Sequence, residues 1–389
     1  MNLKELDKNY IANTYSRFPI EAESGHGSIL IDKNGKEYID LGSGIGVNAF
    51  GYSDKSWCDA AVSQLLKLQH TSNLYYTEPA VKLAKLLCEN TGMKKVFFSN
   101  SGAEANECAI KAARKYAMEK KGDDYYTVIT LKNSFHGRTL TTLAATGQDK
   151  FHELFNPLTP GFISVTAEDI EELKNAVKTQ KPAAVMVECV QGEGGVIPLS
   201  KKYLQEVRKI TEENDVLLII DEVQTGNGRT GKLYAYMNYG IIPDIVSTAK
   251  GLGGGLPIGA TLLGEKAENI FAFGDHGSTF GANPVCCSAA ISVLERITDD
   301  FLTEVTKKSE FLFDFFSKCK GIKSVSGMGL MIGLETLRPA KEVIFEAMES
   351  GVLLLSAKDK VRLLPPLNID FGLLEKAANI IAKICEKEN

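Results

Sequence analysis

A lysine opens a run of glycines, Lys250-Gly-Leu-Gly-Gly-Gly-Leu-Pro257, directly after a short β-branched stretch, Ile245-Val-Ser-Thr248. Most lysines reach into water, because burying an unpaired ammonium is costly. A lysine fixed at a strand end, with glycines removing steric cover on one side, is instead placed to condense with an aldehyde. A second chemistry-bearing residue ends another apolar run: Val216-Leu-Leu-Ile-Ile220 leads into Asp221-Glu222-Val223-Gln224. An amine and an acid at strand ends are what pyridoxal phosphate (PLP) requires, one for its aldehyde and one for its pyridinium nitrogen. A Lys-Gly pair alone carries no such meaning, being in most chains an exposed lysine before a turn. Asp221 and the glycine cluster together reverse that balance.

Other segments offer partners for such a group. Phe98-Ser-Asn-Ser101-Gly102-Ala103-Glu104 joins a strand to a helix. Its S-x-x-E spacing predicts a capping box, and Ser101, Gly102 and Ala103 would also present a hydroxyl and free N–H groups to a phosphate at the helix N-terminus. In Asn133-Ser-Phe135-His136-Gly137-Arg138-Thr139, Phe135 reads as core or as an aromatic stacked on a ring. His136 reads as a hydrogen-bonded structural residue rather than a base. Arg138 is either plain surface or a planar fork for a substrate carboxylate. Glu193, set among Gly192, Gly194 and Gly195, is a solvated loop acid or one held inside a pocket. Arg362, alone in the apolar run Val361–Pro366, invites a carboxylate from protein or substrate. Gly277-Ser278-Thr279-Phe280-Gly281 is a turn, or hydroxyls completing a phosphate cup.

The elements that must position these residues alternate along the middle of the chain. Lys95–Phe98, Tyr126–Leu131, Ala183–Val187, Val216–Ile220 and Ile245–Thr248 read as strands with little polar alternation. Strands buried on both faces look like this, and they belong to mostly parallel sheets. Between them, Glu104–Lys120 and Tyr203–Glu213 are long enough for crossover helices. The fold class is therefore α/β, an open sheet whose ligands gather at the carboxyl ends of strands, where Asp221 and Lys250 both fall. Ile29–Ile31 and Glu37–Asp40 flank a Lys33-Asn-Gly35 turn, and beyond residue 285 helices mix with Val325–Leu334, Val352–Leu355 and Val361–Leu364. That mixture predicts a smaller α+β domain built from both chain ends. The expected division is 1–50 and 286–389 for the small domain, and 51–285 for the large one.

A chain of 389 residues exceeds the size at which one core usually stops growing, which agrees with two domains. The formal charge of −5, with no basic stripe, gives no electrostatic reason to expect nucleic acid. Eight cysteines without a CxxC or Cys/His spacing predict no metal centre and a reduced, intracellular protein. Met1-Asn-Leu-Lys-Glu-Leu-Asp7 lacks the character of a leader, and no apolar run approaches the ~20 residues that span a bilayer, so the expected location is cytoplasmic with no membrane partner.

Taken in order, the motifs resemble those of the class III, fold-type I PLP aminotransferases, and within them the acetylornithine branch. The resemblance runs from Gly44-Ile-Gly-Val-Asn48 to Arg362-Leu-Leu-Pro-Pro366 and is carried by Asn100–Asn106, Ser134–Thr139, Gln191–Gly195, Asp221–Gly226 and Ala249–Gly255. It implies that Lys250 is the Schiff-base lysine and proton shuttle, and that Asp221 pairs with the ring nitrogen. Phe135 and Val223 would sandwich the ring, with Gln224 near its phenolic oxygen and Glu222 counted among the cofactor-binding residues. Ser101, Gly102 and Ala103 would hold the phosphate. Thr279 would reach it from a neighbouring subunit, with Ser278 beside the substrate, so a homodimer with shared sites is implied. Arg138 would bind the donor's remote α-carboxylate, and Arg362 the carboxylate next to the reacting carbon of 2-oxoglutarate. Glu193 would neutralise Arg362 when an ω-amine occupies the site. The implied reaction converts N2-acetyl-L-ornithine and 2-oxoglutarate to N-acetyl-L-glutamate 5-semialdehyde and L-glutamate, as in arginine biosynthesis. Succinyldiaminopimelate, succinylornithine, ornithine and 4-aminobutyrate are alternative donors, and an aminomutase would need no keto acid. Cys189, Asn227 and Ala282 depart from the common proline, valine and glycine. Readings from outside the family are a nucleotide-binding module, which the absence of a G-x-x-x-x-G-K-[ST] motif disfavours, and a non-catalytic relative, which the intact Lys250–Asp221 pair disfavours.

Overall fold

The structure is a computed structural model that describes residues 2–387. Its centre is a seven-stranded sheet of β1 (Lys95–Ser99), β2 (Thr127–Leu131), β3 (Phe162–Val165), β4 (Pro182–Val187), β5 (Leu217–Asp221), β6 (Ile245–Thr248) and β7 (Gly259–Leu263), in the order β1-β7-β6-β5-β4-β2-β3. Every neighbouring pair from β6 across to β3 is parallel, and β7 runs against both β6 and β1. The mostly parallel α/β sheet expected from the apolar runs is the one observed. All residues of β4, β5, β6 and β7 are buried, so these strands carry no polar face to write an alternating pattern.

Alternate residues of β5 feed opposite faces of the sheet. Leu218 and Ile220 join one core with Val246, Val187 and the helices Lys201–Glu213 and Pro284–Leu294. Leu217 and Ile219 join a second core under the helix Gly102–Lys121. That helix lays Ala105, Ala109, Ala112, Ala113 and Ala117 on the sheet, small side chains that let its backbone approach closely. Thr261 Oγ1 of β7 donates to Ala105 O at 2.7 Å, tying sheet to helix. At the start of β7 a Cβ on Gly259 would stand 2.3 Å from Ser101 O, so only glycine lets the strand pass the loop that opens the helix. Each fully buried aliphatic of β5 contributes about 1.5–3 kcal/mol relative to exposure.

Two strands, β3 and β7, escape the sequence reading. Phe162-Ile-Ser-Val165 is only four residues long and follows Pro160-Gly161, while β7 starts on a glycine just after a glycine-rich stretch.

A further core unites the chain ends: Ile29, Ile39, Leu41 and Phe50 pack with Val305, Leu312, Phe316, Ile332, Val343, Leu374 and Ile381. The hairpin Ile29–Asp32 and Glu37–Asp40 forms as expected, its turn held by Asn34 N and Lys36 N on Asp32 Oδ1 at 2.8 and 3.0 Å. Val352–Leu353 then pairs in parallel with Glu37–Asp40. A separate antiparallel sheet, Ile322–Met328, Met331–Thr336, Lys360–Leu363 and Leu355–Ala357, carries Arg362.

Candidate functional site

Asp221 is the last residue of β5 and lies in register with Ser247 of β6, three residues before Lys250. Lys250 begins a single 3-10 turn, Lys250–Leu252, with a left-handed φ of 46°. Strand register thus brings amine and acid to the same sheet edge, where a cavity of about 490 Å³ opens. Among its lining residues are Ser101, Gly102, Ala103, Phe135, Arg138, Asp221, Val223, Gln224 and Lys250.

Asp221 is almost fully buried and its oxygens are engaged by three groups. Asn106 Nδ2 donates to Oδ2 at 2.8 Å, His136 Nδ1 stands 2.8 Å from the same oxygen, and Val223 N donates to Oδ1 at 3.0 Å. Burial works against protonating His136, but the hydrogen bond and charge of Asp221 prevail and raise its pKa. His136 Nδ1 accordingly serves as the donor, the hydrogen-bonded structural role read from the sequence. Asn106 Nδ2 also donates to His136 O at 2.7 Å, which fixes the ring's loop against the same aspartate.

Burial lowers the pKa of Lys250, and Arg362 lowers it further, with Glu193 and Asp221 acting in the opposite sense. The population of neutral amine, the form that attacks an aldehyde, rises accordingly.

At the helix Gly102–Lys121, Ser101 Oγ accepts from Glu104 N at 3.2 Å, one arm of the expected capping box. The other arm differs, since Glu104 Oε2 accepts from Asn100 N at 2.7 Å, one residue before the cap. The N–H groups of Gly102 and Ala103 lie in the first turn, where no intrahelical acceptor exists, and both residues face the cavity. A Cβ on Gly102 would lie 2.6 Å from Val223 Cγ1, so the Val223 side chain packs directly on the backbone at the helix start.

Arg362 is buried, and its Nη1 donates to Glu193 Oε1 at 2.5 Å and to Gln224 Oε1 at 3.1 Å. Burial pushes the Glu193 carboxyl up, and Arg362 more than offsets this, leaving it below its ordinary value. Gln224 links this ion pair to the cavity it lines. Arg138 is exposed at the cavity edge, 4.8 Å over the Phe151 ring and 5.8 Å from Phe135, with no carboxylate partner among the described residues.

Five of the residues singled out stand apart from the cavity lining: the Arg362–Glu193 pair, Glu222, Thr279 and Ser278. Glu222 is buried behind the strand end, accepting from Thr225 Oγ1 at 2.5 Å and Tyr236 N at 2.9 Å, and burial pushes its carboxyl up to about 7. Thr279 is exposed. Ser278 Oγ accepts from Asn100 Nδ2 at 3.1 Å and from Gly281 N at 2.9 Å, beside the cavity but not on its wall.

Two residues went unread in the sequence. Asn106 is a polar residue on the buried face of an alanine-rich helix, a pattern that signals a buried hydrogen-bond duty. Glu188 follows β4 as Asp221 ends β5. Its carboxylate accepts from Phe135 N at 3.0 Å and Gly192 N at 3.3 Å, and burial, eased by His136 and reinforced by Asp221, pushes it up to about 7. The three departures lie off the cavity wall: Cys189 is core, and Asn227 and Ala282 take left-handed φ values of 57° and 60°.

Residues 10–385 match the family Aminotransferase class-III. The chain is 50% identical over 384 residues to the acetylornithine aminotransferase of Haemophilus ducreyi, covering 98% of each chain. Its fold is similar to the ornithine aminotransferase of Toxoplasma gondii, with a TM-score of 0.94 at 31% identity over 98% of this chain and 94% of the other. It is also similar to the N-acetylornithine aminotransferase of Stenotrophomonas maltophilia, with a TM-score of 0.85 at 33% identity over 98% of both chains. Matched along nearly its whole length, this chain belongs to the class III aminotransferases, enzymes that work with pyridoxal phosphate.

Proposed function

We propose that the protein transfers the terminal amino group of N2-acetyl-L-ornithine to 2-oxoglutarate, giving N-acetyl-L-glutamate 5-semialdehyde and L-glutamate, in L-arginine biosynthesis. The observation that carries this reading is the Arg362–Glu193 pair beside Lys250 and Asp221. An ω-amino donor has no carboxylate next to its reacting carbon, whereas 2-oxoglutarate has one. An arginine with a displaceable internal carboxylate meets both demands, because a buried arginine left unpaired is costly.

The residues present fit the cofactor. Ser101, Gly102 and Ala103 offer a hydroxyl and first-turn N–H groups to a phosphate, Val223 and Phe135 line the space for a flat ring, and Asp221 supplies an anion for its nitrogen. When bound, PLP supplies an aldehyde for amines and a ring that takes up the electron pair released at the substrate carbon. In this reading Lys250 Nζ would hold the cofactor's aldehyde and would carry the proton at the substrate carbon. Asp221, which accepts from Asn106 Nδ2 and faces His136 Nδ1, would pair with the ring nitrogen. Arg138 grips the donor's remote α-carboxylate with a fork that no carboxylate among the described residues occupies.

A homodimer completes the proposal. Asn73 Nδ2 donates to Gly281 O at 2.9 Å, joining the exposed Leu74, Tyr75 and Tyr76 to the exposed Phe280 and the loop bearing Ser278 and Thr279. An apolar surface of that kind suits a subunit contact from which Thr279 serves the partner's phosphate. Light scattering expects twice the chain mass, and a monomer at assay concentration would reject shared sites. We place the small domain at 1–50 and 286–389 and the large one at 51–285. The cytoplasm is the proposed location, in keeping with the lack of any helix among the described residues long and apolar enough to cross a membrane.

A panel of amino donors with 2-oxoglutarate tests the substrate. The highest kcat/KM belongs to N2-acetylornithine. A higher value for ornithine, 4-aminobutyrate, succinylornithine or succinyldiaminopimelate would overturn the assignment, as would turnover without a keto acid.

A further inference from the structure

Asn227 sits six residues past Asp221, in the segment that passes beneath the Lys250 turn. It is 2% exposed and holds φ 57°. Asparagine is among the few non-glycine residues that enter the left-handed region readily. Its carboxamide Nδ2 donates to Thr248 Oγ1 at 3.0 Å and to Ala249 O at 3.2 Å. The same Ala249 carbonyl accepts from Leu252 N at 3.0 Å. The peptide that enters Lys250 is therefore held at its oxygen from two directions, by the turn that follows and by a side chain from the Asp221 loop.

This matters because that peptide is unusual. Ala249 has φ −166° and ψ −142°, and Lys250 follows at φ 46°, a conformation that costs a non-glycine residue of order 1–2 kcal/mol. Such strain persists only where the surroundings over-determine it. A Cβ on Gly251 would come within 3.3 Å of Asn227 Cβ, so the turn rests directly on this residue.

We propose that Asn227 is a positioning residue for the reacting amine: its carboxamide locks the Ala249–Lys250 peptide in the left-handed turn and thereby aims Lys250 into the cavity against Asp221. The proposal rests on the reading of Lys250 as the reacting amine. A residue that holds Lys250 also holds the burial that lowers its pKa, since a relaxed turn lets the ammonium seek water.

The test uses Asn227→Gly, which keeps the backbone freedom and deletes the carboxamide, and Asn227→Asp, which keeps the size but places a carboxylate against a carbonyl. PLP is added back to the cofactor-depleted protein, and its covalent attachment is followed by visible absorbance across pH. In both variants the pH midpoint of the attachment rate rises by about half a unit or more, and the rate near neutral pH falls at least about threefold as the neutral fraction drops. In the holoenzyme kcat falls and KM for both substrates stays within about twofold. A midpoint unchanged in both variants would overturn the proposal, even if their Tm falls, because loss of Tm alone describes a packing role. Failure of the transaminase reading is separable: it removes turnover in the unaltered protein and leaves the attachment midpoint measurable.

Discussion

Two pairs of a carboxylate and a basic side chain flank Lys250, and they are built to opposite specifications. His136 and Asp221 have side chains 0% and 4% exposed, whereas Arg362 and Glu193 are 4% and 30% exposed. Asp221 receives three groups from the large sheet and its helix. Glu193 stands in a glycine loop, held by Arg362 and by a long 3.5 Å contact from Gln224. Breaking a fully buried pair strands a charge at about 3–5 kcal/mol, so Asp221 stays where it is. On the proposed function, Glu193 would swing to water and leave Arg362 with Gln224 Oε1 and room for a substrate carboxylate. On that proposal one pair is a fixture and the other a gate, distinguished by access to solvent rather than by residue type.

The comparison can be broken most severely by removing the amine both pairs frame. Lys250→Ala loses all measurable turnover and covalent cofactor attachment, and normal steady-state activity would end the assignment. Next, Asp221→Asn leaves the site folded but takes the fixed charge away, and single-turnover rates fall roughly 10²–10³-fold in both half-reactions alike, the size of loss seen when one preorganised electrostatic partner is deleted. Unequal loss would mean that Asp221 is also part of the gate. Glu193→Ala sharpens the contrast: the ω-amino half-reaction weakens about tenfold more than the glutamate half-reaction, equivalent to about 1.4 kcal/mol. Equal losses would reject the gate.

The smallest effect concerns Glu222, a buried carboxylate with neutral and backbone donors instead of a cation. Its pKa of about 7 exceeds the ordinary 4.5, chiefly through burial. Between those values the folded chain holds a proton that the unfolded chain has released, so stability falls as pH rises through the window. Glu222→Gln removes that slope. Its Tm relative to the unaltered protein should climb by a few degrees from pH 5 to pH 8. A constant difference across pH would show that Glu222 does not titrate in this range.

Much of the frame was legible because buried parallel strands write uninterrupted apolar runs: β4, β5 and β6 emerged with their ends nearly in place, and with them the neighbouring positions of Asp221 and Lys250. Short β3 and the glycine-led β7 wrote no such signal. The Arg362–Glu193 contact spans 169 residues, and no local spacing encodes a pair of that kind. It entered the sequence reading only through family resemblance. Asn106 and Glu188 were visible as polar residues in apolar settings, but their common targets, the loop at Phe135–His136 and Asp221, exist only once three strands and a helix have assembled. Glu222 shows the converse. The resemblance counted it among the cofactor-binding residues, whereas just past the end of β5 its carboxylate accepts from Thr225 Oγ1 and Tyr236 N, away from the cavity lining.

The core joining Ile39 and Leu41 to Val343 and Leu374 has a temporal consequence. During synthesis the first fifty residues leave the ribosome hundreds of codons before their packing partners exist, and Glu37–Asp40 must wait for Val352–Leu353 to pair in parallel with it. Contacts so distant along the chain form late and slowly. The nascent polypeptide therefore carries an unfinished amino-terminal hairpin through most of elongation, and a truncation that removes Val352–Leu353 would leave that hairpin without its parallel partner.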